Sequence, residues 1–403
     1  MGKNPLRVEI LGPLAAYRDG LVEDLRRQGY TSQSSVHHVL QMAHIGRWLA
    51  ENDLRPEQFT TEKVDGFLRQ RRQSGSRYYI TPQGLQPVTG FLRQSGIIPS
   101  EEKTAPERTP LNELLERYAV YLIQERSLCP RVVIQYRRRA RHFLSATFDA
   151  EALNLSCLTA ATVSSFILGE TRASSVGYAK NKIAALRSFL RYLHVRGELP
   201  DLSGALPSVA SWRLAELPKF LTTDETNRLL SARDRRTRVG CRDYAALLIM
   251  VRLGLRAGEV ASLTLDDIDW SRGELVVRGK GGRLDPLPLP QEVGEAIVSY
   301  LRRGRPHSGS RTLFLRSRAP YQDLTSGAVQ GIARDTGNLC GISHVGAHRL
   351  RHTAATQMLW NGASLPEIRQ VLRHDSVDTT AIYAKVDRNS LRTICRPWPG
   401  ATL

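Results

Sequence analysis

Residues 268–290, IDWSRGELVVRGKGGRLDPLPLP, interrupt a chain whose apolar residues otherwise recur at helical spacing. Short β runs alternate there with the turn signals SRG and GKGG, which predicts a three-stranded antiparallel sheet. So small a sheet cannot enclose a core for 403 residues, and most apolar surface must be buried helix against helix. The expected fold is mainly α with a small antiparallel β-sheet in the C-terminal domain. Helical N-terminal modules precede that mixed α+β domain.

Two polar, proline-bearing stretches read as linkers, SEEKTAPERTP (100–110) and GALPSVASWRLAELP (204–218). They leave three segments: 1–100, 110–205 and 218–403. The first two resemble each other. FTTEKVDGFL (59–68) superposes on LTAATVSSFI (158–167) at an offset of 99, with Thr60 on Thr159, Val64 on Val163 and Phe67 on Phe166. Both follow a threonine N-cap candidate, and both segments close on Gly and Pro stop signals, FLRQSGIIP (91–99) and FLRYLHVRGELP (189–200). The pattern is that of two tandem copies of one small helical module.

Lys and Arg number 57 against 39 acids, a net charge of +18. Such an excess suits a polyanionic partner, most often nucleic acid. A genomic bias explains why 49 of the 57 are arginine, but not the surplus over acids. The surplus runs +3 for 1–109, +5 for 110–217 and +10 for 218–403. In the second segment, RSLCPRVVIQYRRRARHFL (126–144) sets Arg137, Arg138, Arg139 and Arg141 beside apolar helical positions. YAKNKIAALRSFLRYL (178–193) adds Lys180, Lys182, Arg187 and Arg191, so both helices are candidates to lie along a phosphate backbone. No run of about 18 apolar residues could span a membrane, and MGKNPLRVEI lacks the apolar core of a secretory signal. Five scattered cysteines without a CxxC pair point to a reducing, cytoplasmic setting, without disulfides or structural zinc.

The last segment holds the residues suited to chemistry. In RLGLRAGEV (252–260), Arg256 has Glu259 at i+3 to hold its guanidinium. In VVRGKGGRL (276–284), Lys280 sits at a glycine-flanked hairpin tip, where an amine can give up a proton that a guanidinium keeps. AHRLRHTAATQMLWNG (347–362) puts His348 and Arg351 on one helix face and ends on Gly362. SLPEIRQVLRH (364–374) opens with Ser364 and Glu367 in capping-box spacing and delivers His374. A fresh helix start at Asp375 or Ser376 then carries Tyr383. Cleaving a phosphodiester without metal needs cations on the non-bridging oxygens, a nucleophile, and an acid for the leaving oxygen. Two arginines grip a phosphate, a histidine donates or shuttles a proton, and a tyrosine attacks if nearby cations favour the phenolate. The carboxylates of DDID (266–269) offer a metal-dependent alternative, but Asp267 is expected to face away from Asp266, both as solvated strand and turn residues.

GLRAGEV, HRLRHTAAT and LRHDSVDTTAIYAKV resemble, in order and spacing, the signature boxes of the tyrosine recombinase family, with Lys280 between the first and second. The resemblance is strong over 218–390. It is moderate over 110–205, which is similar to the family's helical core-binding domain. It implies that Arg256, Arg351 and His374 stabilise the phosphate, with His348 assisting. It further implies that Lys280 protonates the departing 5′-hydroxyl and that Tyr383 forms a 3′-phosphotyrosyl bond. The activity implied is site-specific recombination, for integration or excision of a mobile element, without metal or other cofactor. The partners implied are double-stranded DNA and further copies of the chain, as a homo-tetramer on two duplexes. SLRTICRPWPGATL (390–403) would dock on a neighbour.

Arg373 stands where the family commonly has glycine, and is expected to fit a helix and either to shift His374 slightly or to add a phosphate contact. Residues 1–100 exceed the minimal family layout, leaving three roles open: grip on the crossover site, accessory-site binding, or protein contact. A type IB topoisomerase and a catalytically silent sequence-specific DNA-binding protein are the alternative readings. The tandem modules and the His-Arg-Leu-Arg-His box favour the recombinase.

Overall fold

The computed structural model describes residues 4–76, 78, 80–100, 109–148, 153–209, 217–279, 283–374, 376 and 378–387. The chain forms two compact units, one of residues 1–99 with 213–403 and one of 100–212. The first helical segment therefore groups with the last.

That first segment contains α1 (Arg18–Arg27), α2 (Ser32–Glu51), α3 (Thr61–Gln73) and α4 (Pro82–Gln94). Thr31 and Thr81 cap α2 and α4, their hydroxyls accepting from the N–H groups of Ser34 and Gly84. Trp48, Phe59 and Phe67 meet edge to face in its core.

The second unit contains α5 (Pro110–Gln124), α6 (Pro130–Thr147), α7 (Ala160–Thr171) and α8 (Val176–Val195) around Tyr118, Phe143, Phe189 and Tyr192. Its order repeats that of α1 to α4. One 3₁₀ turn, Pro56–Gln58, precedes α3, and another, Leu155–Cys157, precedes α7 at the same offset of 99. Gly96 and Gly197, at φ of 68° and 72°, end α4 and α8. The next N–H in each case turns back onto the carbonyl of Leu92 or Leu193.

The basic helices of this unit are more inward-turned than helical spacing predicts. Lys182 is buried, ion-paired with Glu170 and placed over the rings of Phe166 and Tyr178. Arg187 donates to the carbonyls of Leu206 and Pro207, tying α8 to the segment that follows it. Arg137 pairs with Glu116, Arg139 donates to the Asn181 carbonyl, and Arg141 to the Asn112 side chain. Arg138 is exposed and Lys180 half-buried. Lys182 and Arg187 thus hold the module together from inside, because each ends against an acceptor brought from another element.

Residues 217–387 contain α9 (Thr223–Ser231), α10 (Arg238–Arg252), α11 (Ala257–Ser262), α12 (Gln291–Ser299), α13 (Ser326–Leu339), α14 (Ala347–Trp360), α15 (Leu365–Leu372) and α16 (Asp378–Ala381). Strands β1 (Ile268–Asp269), β2 (Glu274–Arg278) and β3 (Leu284–Pro288) form an antiparallel sheet in that order. Leu275 opposes Leu287, and the alternation on β2 buries Leu275 and Val277 while exposing Arg278. Helix α10 is the hub, with Ala245 through Val251 fully buried.

Asp267 departs from expectation. It is 4% exposed, caps Thr264, and pairs with Arg278 at 2.7 Å, while Asp266 pairs at the surface with Arg311. A buried carboxylate needs such partners, and the arginine at the end of β2 supplies one. Among the described residues no helix is long and apolar enough to cross a membrane, and no group of three His, Cys, Asp or Glu could hold a metal ion.

Candidate active site

Arg256 is the N-cap of α11, and its backbone N–H donates to Glu259 Oε2 at 2.8 Å. Its guanidinium donates to Glu259 Oε1 at 2.7 Å and is about half exposed, at 49%. The i+3 relation read from the sequence is therefore a helix cap and an ion pair at once. Glu259 is buried, and burial alone would raise its carboxyl pKa. Arg373, together with the backbone N–H and guanidinium of Arg256, outweighs this and holds it below the ordinary value.

Arg351, on α14, is 2% exposed. It donates to the Gly254 carbonyl at 2.7 Å and to the Leu372 carbonyl, and lies 4.0 Å from Glu259. Burial, then the nearby Arg256, lowers its pKa to about 10, so it remains a cation at neutral pH. Gly254, at φ of 61°, adopts the left-handed region just where its carbonyl must meet Arg351. A Cβ there would lie 2.5 Å from Leu372 Cδ2. Gly254→Ala is expected to lower stability by about 1–3 kcal/mol, read by thermal unfolding, and to displace Arg351 at the same time.

His348, at the rim one turn before His352, has its pKa lowered by the surrounding protein and by Arg351 and Arg256. The two imidazoles stand 4.4 Å apart, centre to centre. His352 Nδ1 lies 2.8 Å from the Tyr383 hydroxyl, so a neutral His352 can accept the phenolic O–H. His374 follows α15, buried, and shares a 2.8 Å hydrogen bond with Thr380 Oγ1. Ser364 and Glu367 form the expected reciprocal cap at the start of α15. Tyr383 sits on a 3₁₀ turn, Ile382–Val386, after the four-residue α16, where a continuous last helix was expected.

Tyr383 is 1% exposed, and burial, only partly opposed by Arg351, pushes its pKa up to about 12. The expectation that cations would favour the phenolate is thus reversed in this conformation, because desolvation is the larger effect. A cleft of about 1260 Å3 is lined by Lys219, His348, Arg351, His352, His374 and Tyr383, among others. Three of the residue types read from the sequence therefore converge: two histidines, Arg351 and the tyrosine. Arg256 stands near enough to act electrostatically on His348, Arg351 and His374. Lys280 and the tail 390–403 lie outside the described residues. The signal for His352 in the sequence is its i+4 spacing from His348, which places both on one helix face.

Burial lowers the pKa of both His352 and His374 to about 4, with neighbouring cations and histidines adding to the shift. Both are neutral in the folded protein at pH 6, whereas in the unfolded chain they titrate near 6.5. Stability is therefore full above that pH and is lost as pH falls from about 6.5 toward about 4, with unfolding taking up about two protons from this pair. Thermal unfolding across this range, in buffers of different ionisation enthalpy, measures the uptake.

Residues 219–390 match the sequence profile of the phage integrase family. The integrase/recombinase y4rA of Sinorhizobium fredii is 40% identical over 393 residues, 96% of this chain and 95% of that protein. The tyrosine recombinase XerD of Listeria monocytogenes is 31% identical over 296 residues, 70% of this chain and 97% of its own length. Relative y4rA thus shares additional length that XerD lacks. Among solved structures, a lambda integrase dimer bound to a COC′ core site gives a TM-score of 0.55 at 19% identity, covering 79% of this chain and 91% of that one. The XerH recombinase bound to palindromic difH gives 0.55 at 19%, covering 72% and 96%. These two establish the fold. The chain belongs to the phage integrase, or tyrosine recombinase, family, and its activity is site-specific recombination.

Proposed function

We propose that this recombinase cuts and rejoins double-stranded DNA through a covalent 3′-phosphotyrosyl intermediate on Tyr383. The observation that carries the reading is the Tyr383 hydroxyl at 2.8 Å from a neutral imidazole, in a cleft shared with Arg351 and His374. As the phenol oxygen forms its bond to phosphorus, its proton passes to His352 Nδ1 and the bond to the 5′-oxygen breaks. Lys280 supplies the proton to that leaving oxygen, a role that rests on the family resemblance. Arg256, Arg351 and His374 face the non-bridging oxygens, with His348 as a further donor. Charge is neutralised by side chains, so no metal or nucleotide enters the scheme. The phosphotyrosyl ester retains the energy of the broken bond, and attack by a different 5′-hydroxyl completes an exchange.

The reading extends to integration or excision of a mobile element in the cytoplasm, by a homo-tetramer holding two duplexes. A lambda integrase tetramer bound to a Holliday junction has this fold, with a TM-score of 0.55. Arg138, Lys180 and Arg141, on the surface of the second unit, are the DNA contacts proposed there. Segments 1–100 and 110–205 are proposed as tandem copies of one module. The test is covalent capture of nicked duplexes from a random-sequence library by the full chain in chelator, followed by mapping of the linked peptide. A DNA adduct on Tyr383 is the expected result. An adduct elsewhere, or cleavage only with added metal, overturns the scheme.

A further inference from the structure

Arg373 is unusual in two independent ways. It ends α15 in the left-handed region, at φ of 54° and ψ of 51°, where glycine is the residue without steric penalty. Its side chain is also buried, 5% exposed, and does not reach outward as expected. Nη2 donates to Glu259 Oε2 at 2.8 Å, Nη1 donates to the Val371 carbonyl at 2.9 Å, and Nε is buried without a hydrogen-bond partner. A strained backbone and a desolvated guanidinium are each unfavourable for folding, and glycine would avoid both. The left-handed turn closes the helix through backbone bonds alone, from the N–H groups of Arg373 and His374 to the carbonyls of Gln370 and Arg369, so stopping the helix calls for no arginine side chain.

The consequence falls on Glu259. One carboxylate faces Arg256, Arg351 and Arg373 together. With two guanidiniums, Glu259 would leave the cluster one net positive charge; with three it leaves two. A phosphodiester carries one negative charge and gathers a second as it becomes five-coordinate. Sharing Glu259 also weakens its hold on Arg256, which is half exposed toward solvent. We propose that Arg373 is a positioning and charge-balancing residue of the catalytic centre: by taking a share of Glu259 it frees Arg256 to donate to the scissile phosphate and adds a positive charge that favours the doubly charged transition state. It acts through Glu259 and through its field, linking the loop after α15 to the start of α11. The inference rests on the phosphoryl-transfer reading above.

The test compares scissile phosphodiester with methylphosphonate, which lacks the negative charge, in a nicked duplex captured by the wild-type chain. Rates of covalent complex formation are measured for wild type, Arg373→Gly and Arg373→Lys. Glycine suits the backbone at this position, so thermal unfolding should show the variant folded. On the phosphodiester, Arg373→Gly is expected to slow attack roughly tenfold to a hundredfold, with Arg373→Lys recovering most of the rate. On the methylphosphonate the three proteins should differ by less than about threefold. Equal losses on both substrates would show a merely structural role, and wild-type rates on the phosphodiester would show none; either overturns the proposal. If wild type forms no tyrosyl adduct on any duplex, the phosphoryl-transfer reading itself has failed.

Discussion

Tyr383→Phe is expected to bind duplex DNA as wild type does and to form no covalent complex with it. The substitution removes one oxygen from a ring packed, at 1% exposure, against Ala355, Leu359, Ile368 and Leu372. Phenylalanine keeps that packing. The lost hydrogen bond to His352 is worth about 1 kcal/mol in stability. The loss in strand cleavage should be about 10⁵-fold or more, because no other group replaces a missing nucleophile. A denaturing gel of nicked-duplex reactions separates the two effects: free DNA migrates normally, while wild type yields a slow protein-linked band. A His352→Gln variant sharpens the reading. It retains a side chain able to hold Tyr383 but no imidazole to take the proton, so the band should form slowly and the rate should rise with pH. A phenylalanine variant that cleaves at the wild-type rate would remove Tyr383 from the mechanism.

The residues that sequence alone exposes best are those whose partners lie close along the chain. Arg256 with Glu259, and Ser364 with Glu367, are i+3 relations, and helix geometry fixes both before any tertiary contact forms. The strand alternation of β2 is legible for the same reason. What stayed hidden depends on groups brought together from far away. His352 and Tyr383 are 31 positions apart, and Arg373 and Glu259 are 114 apart. Helical spacing says which face a cation occupies, but not whether a carboxylate or carbonyl waits there. Lys182, Arg187 and Arg373 all stand at positions that suit cations for phosphate, yet all three end against internal acceptors. The ionisation of Tyr383 is hidden for a related reason: cations can be counted in a sequence, whereas the desolvation that exceeds them is set only by the closed core around α14 and α15. The site's chemistry is therefore legible as residue types, and its resting state only as a folded arrangement.

Glu259→Ala should be among the most destabilising single changes in the chain. The carboxylate is 7% exposed and stands between Arg256, Arg351 and Arg373, two of which are themselves buried. Removing it leaves those guanidiniums desolvated and mutually repelling, a loss expected at about 3–5 kcal/mol. Glu259→Gln keeps the shape and part of the hydrogen bonding but not the charge, and should lie between alanine and wild type. The sign of the pH effect follows from the carboxyl being held below its ordinary value of 4.5. Its contribution is fully present above that pH and is lost as pH falls through the lower folded value, because only the unfolded chain takes up the proton in between. Wild type should therefore lose its advantage over Glu259→Gln below about pH 4.5, in urea titrations at successive pH values. Coupling gives the decisive comparison. In an Arg373→Gly background one stranded guanidinium is already gone, so Glu259→Ala should cost less than it does alone, by roughly 1 kcal/mol or more. Additive losses in that double-mutant cycle would mean that Glu259 and Arg373 do not interact, whatever their separation of 2.8 Å suggests.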